Sequence, residues 1–438
     1  MITRIRIQGY KSLADVELED LSRLVVLFGP NAAGKSNLLD ALDLLAHLAR
    51  EDTLVAAFHR HRGNRAERPL PVRWFFHGLE EEGNGAGERE HPFEMEFEVD
   101  LQLQPLIVEQ LNREFEERES RAALDRPYTR VTRTLLRYGL KLRYLPRDRS
   151  LDITHESLVP LTKGGQPIDS VIPYIKHEPA ARRLSVKLER QAHPRYYDLP
   201  RSRTLLSEIG DAVNHPHLVA AARELRSIRV YYVEPLRMRS AVADVEATDP
   251  GPHGEQLATF YHWLKRKHAV SFRNLLHNLG RIVPGVRNLD VREGAEGFLE
   301  LWVSEGDGAQ FPAALVSEGT LRLLCLLGIA ATPRRPAIVG YEEPENGVNP
   351  GRLGELLEIL ETASQTPPDT QLILTTHSPE VVDFFEAATR IRCERGEKGS
   401  LFTPSEDLPL FRQASAHQAL GMVPRATLGQ RLARGDLA

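Results

Sequence analysis

Residues 2–8 (ITRIRIQ) alternate apolar and polar side chains, the period of two that marks a strand with one buried face. Positions 24–28 (LVVLF) are apolar throughout, as expected of a strand covered on both faces. Beyond the loop at 29–36, Leu38, Leu39, Ala41, Leu42 and Leu45 recur at helical spacing, which predicts a helix directly after that strand. Alternation returns at 93–103 (FEMEFEVDLQL), and 107–122 reads as a charged helix. In the last third, strand and helix alternate. The pattern gives a strand over Arg229–Val233, helices near 254–267 and 270–283, and a strand over Phe298–Val303. An apolar helix follows Ser317, an apolar strand precedes Glu342, a helix covers 350–363, and Leu372–Thr375 is a buried strand. Strand–helix alternation at both ends of the chain predicts an α/β domain split in sequence into 1–105 and 231–438, with 106–230 as a mixed α+β insert.

Composition narrows the class. With 41% hydrophobic and 27% charged residues in 438, the chain has neither a disordered nor a membrane composition. Its longest apolar stretch, 321–331, carries Arg322 and falls short of the roughly 20 residues that cross a bilayer. The start, MITRIRIQGYK, lacks the apolar core of a secretion signal, and only Cys325 and Cys393 occur, so a cytoplasmic location without disulfides is expected. The net charge of −5 conceals an uneven distribution. Residues 126–149 hold eight Lys/Arg and one acid, and 176–203 hold eight and three, so the rest of the chain is acidic. Residues 59–73 are Arg-rich as well, and 83–88 (GNGAGE) reads as a loop. Such asymmetry is the footprint of a nucleic-acid partner bound through Arg126–Arg149 and Lys176–Arg203, with Tyr196 and Tyr197 as stacking surface. The alternative is a solvated surface whose cations pair with the acidic remainder.

Four motifs carry chemistry. Gly29-Pro30-Asn31-Ala32-Ala33-Gly34-Lys35-Ser36 fits G-x-x-x-x-G-K-[ST] between a buried strand and a helix. There backbone amides wrap phosphate, Lys35 reaches the β/γ-phosphates and the Ser36 hydroxyl ligates Mg²⁺, which makes Gly29 to Asn37 a candidate ATP site. The strand ending Tyr341-Glu342-Glu343-Pro344-Glu345 presents adjacent carboxylates. Glu342 is the candidate on the Mg²⁺ side and Glu343 the one that polarises the attacking water. The strand ending Thr375-Thr376-His377-Ser378 places a histidine able to sense a γ-phosphate or its attacking water. Ser317-Glu318-Gly319 opens an apolar helix, either as a plain N-cap or as donors to a γ-phosphate held by another subunit.

In this order and spacing, the four motifs resemble the ATP-binding-cassette heads of the RecF, SMC and OLD-type ATPases, and among them the AAA_21/AAA_15 type that lacks a Toprim domain. The resemblance covers 1–50 and 230–390 and rests on the EEPE, THSP and SxG elements and on Tyr10-Lys11-Ser12. It implies a P-loop NTPase fold with an ABC-type head, ATP and Mg²⁺ as ligands, Glu343 and His377 as catalytic residues, and Lys11 near the nucleotide phosphates. Ser317 and Gly319 would then face the ATP of a second copy in a head-to-head homodimer. Asn349 takes the D-loop place, and Gln102 and Gln104 are candidates for the Q-loop. Larger OLD proteins append a Toprim nuclease; the 48 residues after 390 hold no acidic metal cluster, so any cleavage is expected from a partner.

Two uses of such a head fit the sequence. One is a DNA-engaging ATPase of repair or anti-phage defence. The other is an ATP-controlled scaffold or sensor that holds and releases a separate nuclease or toxin. A transporter subunit fits the large insert and divergent signature poorly, and a GTPase is disfavoured because no N-K-x-D motif occurs.

Overall fold

The computed structural model describes residues 1–61, 70–78, 92–121, 127–294, 297–333, 336–365, 370–408 and 427–434. The 83–88 stretch, Arg126 and residues 62–69 of the Arg-rich run lie outside them. The first half of the chain forms β1 (Ile2–Tyr10), β2 (Leu13–Leu18), β3 (Leu24–Phe28), α1 (Lys35–Leu48), α2 (Leu54–Arg60), β4 (Phe93–Gln102) and α3 (Pro105–Arg121). Then come β5 (Leu135–Leu145), β6 (Ser150–Pro160), β7 (Ile175–Glu178), β8 (Arg183–Val186), β9 (Arg195–Asp198), α4 (Leu205–Glu208) and α5 (Pro216–Arg226). The second half runs β10 (Arg229–Tyr231), α6 (Pro235–Met238), β11 (Val242–Ala243), α7 (Leu257–Lys267), α8 (Ala269–Ile282), β12 (Val286–Glu293), β13 (Phe298–Glu305) and β14 (Gln310–Pro312). It closes with α9 (Glu318–Ala331), β15 (Ile338–Glu342), α10 (Pro350–Gln365), β16 (Gln371–Thr376), α11 (Pro379–Phe384), β17 (Thr389–Arg395), β18 (Ser400–Pro404) and α12 (Leu428–Arg434). Among the described residues, no helix is long and apolar enough to cross a membrane.

Two compact units result. The first comprises Met1–Ser22, Pro30–Ile228 and Arg392–Thr403. Its eight-stranded sheet has the order β2-β1-β4-β5-β6-β7-β8-β9, with every pairing antiparallel, so β5 to β9 extend the sheet that β1, β2 and β4 begin. Cross-strand rows alternate as a half-buried sheet requires. Ile5, Val99 and Tyr138 form one buried row, and Ile7, Phe97 and Leu140 the next. The opposite face carries ion pairs such as Arg4 with Glu98 (2.6 Å) and Lys141 with Glu94 (2.8 Å).

The second unit comprises Arg23–Gly29, Arg229–Ile391 and Pro404–Ala438. Four parallel strands, in the order β10-β15-β16-β3, are its spine. β3, β15 and β16 are apolar runs that are buried almost throughout, as parallel strands covered on both faces must be. Their side chains pack with those of α7, α8, α9 and α10 in one continuous core.

Candidate functional site

The three adjacent parallel strands of the second unit end together. Register pairs Glu342 with Thr375 and Thr376 with Phe28, so the carboxyl ends of β15, β16 and β3 lie side by side. These ends deliver Glu342-Glu343, Thr376-His377 and the first glycine of the P-loop motif, Gly29. The edge beyond the carboxyl ends of parallel strands is where open α/β sheets bind their ligands.

Glu343 takes a left-handed backbone conformation (φ 48°), uncommon for a residue with a Cβ. Its amide bonds Thr375 O at 2.9 Å, which extends the β15–β16 ladder by one step. Asn346 Nδ2 donates to Glu343 Oε2 at 2.6 Å, and His377 Nδ1 lies 3.4 Å from Glu343 Oε1. The water-polarising and switch candidates are therefore neighbours. Glu345 completes the group. Its Oε1 accepts from Thr376 Oγ1 (2.6 Å) and from the His377 amide (3.2 Å).

Ser317 is the N-cap of α9, its hydroxyl accepting from the Thr320 amide at 3.2 Å. That is the plain capping role, and Ser317 is nonetheless exposed. Gly319 has a neighbour in its own chain: a Cβ there would meet Gly347 O at 2.4 Å, and one on Gly347 (φ 81°) would meet Gly319 Cα at 2.6 Å. The signature turn and the loop after Glu345 thus touch backbone to backbone. Only glycine permits that approach at both positions. Asn349 caps α10, its Oδ1 accepting from the Gly351 amide at 2.9 Å.

In the first unit, Pro30 to Asn37 form a loop entering α1. Ala32 (φ 61°) and Gly34 (φ 102°) adopt the left-handed conformations that turn amides to one side. Gly34 is the N-cap of α1 and no side chain caps the helix there. Asn31, Ala32 and Ser36 are exposed, Ala33 and Lys35 are buried, and Lys35 Nζ donates to Pro30 O at 2.9 Å. Asn37 bonds not outward but to Ser12 Oγ (2.7 Å), which in turn pairs with Ser400 Oγ (2.7 Å). Ser400 fills the space a Cβ on Gly34 would need, at 2.0 Å. Lys11, itself left-handed (φ 44°), reaches Asp40 Oδ2 on α1 at 2.5 Å with its ammonium near the Tyr10 and Phe75 rings. The turn Lys11-Ser12 therefore docks on the first turns of α1. Gln104 is buried, with its amide on Glu224 Oε2 at 2.9 Å.

Ser400, Asp40, Asn346 and Glu345 have no place in the motif-based candidate set. Glu345 alone had a signal, as the last letter of EEPE; the others come from positions whose local sequence marks nothing. Six cations of the basic stretches are ion-paired within the described residues, Lys141 with Glu94 among them. Arg130 meets Glu119 (2.7 Å), Arg137 meets Asp100 (2.6 Å), Arg183 meets Glu178 (2.8 Å), Arg203 meets Asp52 (2.8 Å), and Arg201 meets Glu208.

Comparison with solved structures finds the SMC head bound to the C-winged helix domain of ScpA, at 15% identity over 92% of this chain and 97% of that one, with a TM-score of 0.50. The SMC head with an extended coiled coil bound to the C-terminal domain of ScpA, derived from Pyrococcus furiosus, matches at 12% identity, 96% and 99% coverage and a TM-score of 0.50. At such identities the likeness is one of fold, that of an ABC-type ATPase head. No curated protein matches. The family model described as "AAA domain, putative AbiEii toxin, Type IV TA system" matches residues 24–124 and 173–383, well over half of the chain and inclusive of the P-loop, Ser317, Glu342, Glu343 and His377. Because that model matches more than half of the chain, the chain belongs to the AAA_21 family, and its fold is that of an ABC-type ATPase head.

Proposed function

We propose that this chain binds and hydrolyses ATP with Mg²⁺, and that two copies close head to head around the nucleotide. The observation that carries the reading is the convergence of Gly29, Glu342-Glu343 and Thr376-His377 at one sheet edge, with Glu343 and His377 3.4 Å apart. The loop conformation suits a polyphosphate: left-handed turns at Ala32 and Gly34 and a helix start without a side-chain cap leave amides to bind anionic oxygens. Ser36 and Glu342 offer the hard oxygen donors that Mg²⁺ prefers. When bound, that ion neutralises charge on the phosphate oxygens. Lys35 moves from Pro30 O to phosphate, Glu343 takes the proton of the attacking water, and His377 holds Glu343 and the terminal phosphate in line. Ser317 and the Gly319 amide face the nucleotide of the second copy. Loss of the γ-phosphate removes the bridge and lets the heads part.

For what turnover drives, the ion pairs of Arg130, Arg137, Arg183 and Arg203 support an ATP-controlled scaffold for a separate nuclease or toxin over a DNA machine, since a cation held by a carboxylate of its own chain is less available to phosphates. ATPase rate measured with and without duplex DNA across a salt titration separates the two. The scaffold reading expects a rate indifferent to DNA. Strong, salt-sensitive stimulation that is lost in Arg182→Glu/Arg183→Glu would instead establish the DNA reading.

A further inference from the structure

Glu345 stands two residues beyond the water-polarising candidate, with its side chain 8% exposed. Its Oε2 is buried and has no hydrogen-bond partner among the described residues. An unmatched buried carboxylate oxygen costs about 1–3 kcal/mol, so stability alone does not account for the residue. Its other oxygen is fully used. Oε1 accepts from Thr376 Oγ1 at 2.6 Å and from the His377 amide at 3.2 Å, while Thr376 Oγ1 accepts from the Ser378 amide at 2.9 Å. The same Oε1 lies 3.7 Å from His377 Nδ1. Strand β16 ends at Thr376 and α11 starts at Pro379, so His377 sits in a two-residue link with no ladder of its own. Its imidazole is half exposed. What fixes the backbone beneath that ring is Glu345.

We propose that Glu345 is a positioning residue, whose Oε1 clamps the Thr376–Ser378 turn and thereby sets His377 against Glu343. This inference rests on the ATPase reading above. The role requires an acceptor at Oε1 rather than a charge, and that makes it separable from a general packing role. Glu345→Gln keeps the acceptor and Glu345→Ala removes it. Thr376→Val removes the hydroxyl that bridges Glu345 and Ser378.

The test has two readouts. In nucleotide-free protein, hydrogen exchange at the His377 amide is followed by NMR. Protection should be retained in Glu345→Gln and should fall at least tenfold in Glu345→Ala. In steady-state turnover, Glu345→Ala should lower kcat at least tenfold and leave KM for ATP within about twofold, a loss of transition-state alignment worth about 1.4 kcal/mol for each tenfold. Glu345→Gln should stay within about threefold of wild-type kcat. Should Glu345→Ala fail to fold, Thr376→Val gives the same test, with kcat expected to fall at unchanged KM. Unchanged exchange and kcat in Glu345→Ala, or in Thr376→Val in its place, would overturn the proposal, as would a Glu345→Gln variant as impaired as Glu345→Ala. A wild-type chain that hydrolyses no ATP refutes the ATPase reading instead, and the exchange measurement still decides the clamp.

Discussion

Glu156 offers a quantitative test of the packing that supports the P-loop helix. It lies on β6 opposite Leu140, in the inward row with Phe97 and Ile7, and is 0% exposed. Its oxygens accept from the Leu205 amide (2.9 and 3.0 Å) and from Tyr138 Oη (3.0 Å). The preceding Thr204 donates its hydroxyl to Leu48 O at 2.7 Å, at the C-terminal end of α1. Glu156 thus anchors the turn that holds the far end of the helix whose first turn is the P-loop. Burial pushes its carboxyl up to about 7 from an ordinary 4.5, against the opposing effect of the amides and Tyr138. Between those values the folded chain keeps a proton that the unfolded chain has released. The contribution of Glu156 to stability is therefore fully present below pH 4.5 and is lost as pH rises through about 7. At about 1.4 kcal/mol per pH unit, the span corresponds to about 3 kcal/mol. Glu156→Gln keeps an acceptor and has no proton to lose. Urea unfolding of both proteins from pH 4.5 to 8 should show the wild type losing about 3 kcal/mol relative to the variant. The comparison removes the contributions of His155, His177 and His215, whose pKa values burial lowers and which act in the opposite sense as pH falls. A wild-type-to-variant difference that does not vary with pH would refute the reasoning.

Two substitutions probe the loops directly. Gly34→Ala combines a left-handed φ of 102° with a Cβ placed 2.0 Å from Ser400 Oγ, so calorimetric ATP affinity should fall at least tenfold, whereas Ser400→Gly in the same background should restore part of it. Gly319→Ala drives a methyl to 2.4 Å from Gly347 O and should abolish ATP-dependent association in light scattering while leaving single-chain ATP affinity within about threefold.

The parallel core was legible because its strands are covered on both faces: Leu24–Phe28 and residues 338–341 are short apolar runs, each leading into a polar, chemistry-bearing turn. The helix after the P-loop followed from leucine spacing, though its start at Lys35 is set by Gly34, not by a side-chain cap. The middle was harder. Leu135–Leu145 (LLRYGLKLRYL) alternates like a strand, yet its outward Arg and Lys also read as a polycation; only Asp100 and Glu94, brought by β4, show them to be one side of a charge ladder. β6 hides a phase change. A bulge between its pairings to Lys141 and Leu142 leaves Thr154 extra, so Leu151 and Ile153 point inward and then Glu156 and Leu158 do. No period-of-two reading places a glutamate in the core. The motif residues were legible because their chemistry is local, whereas Ser400 beside Gly34, Gly347 against Gly319 and Glu345 under His377 depend on tertiary contacts that sequence spacing does not encode.

The head-closure account stands or falls on Glu343→Gln. In that variant the amide no longer takes a proton from water, and nothing in the P-loop is altered. Light scattering of Glu343→Gln with Mg²⁺ and ATP should give twice the mass of one 49.3 kDa chain, reverting to one chain with ADP, while phosphate release falls at least a hundredfold. A variant that turns over ATP at the wild-type rate, or one that binds ATP and stays a single chain, would contradict it.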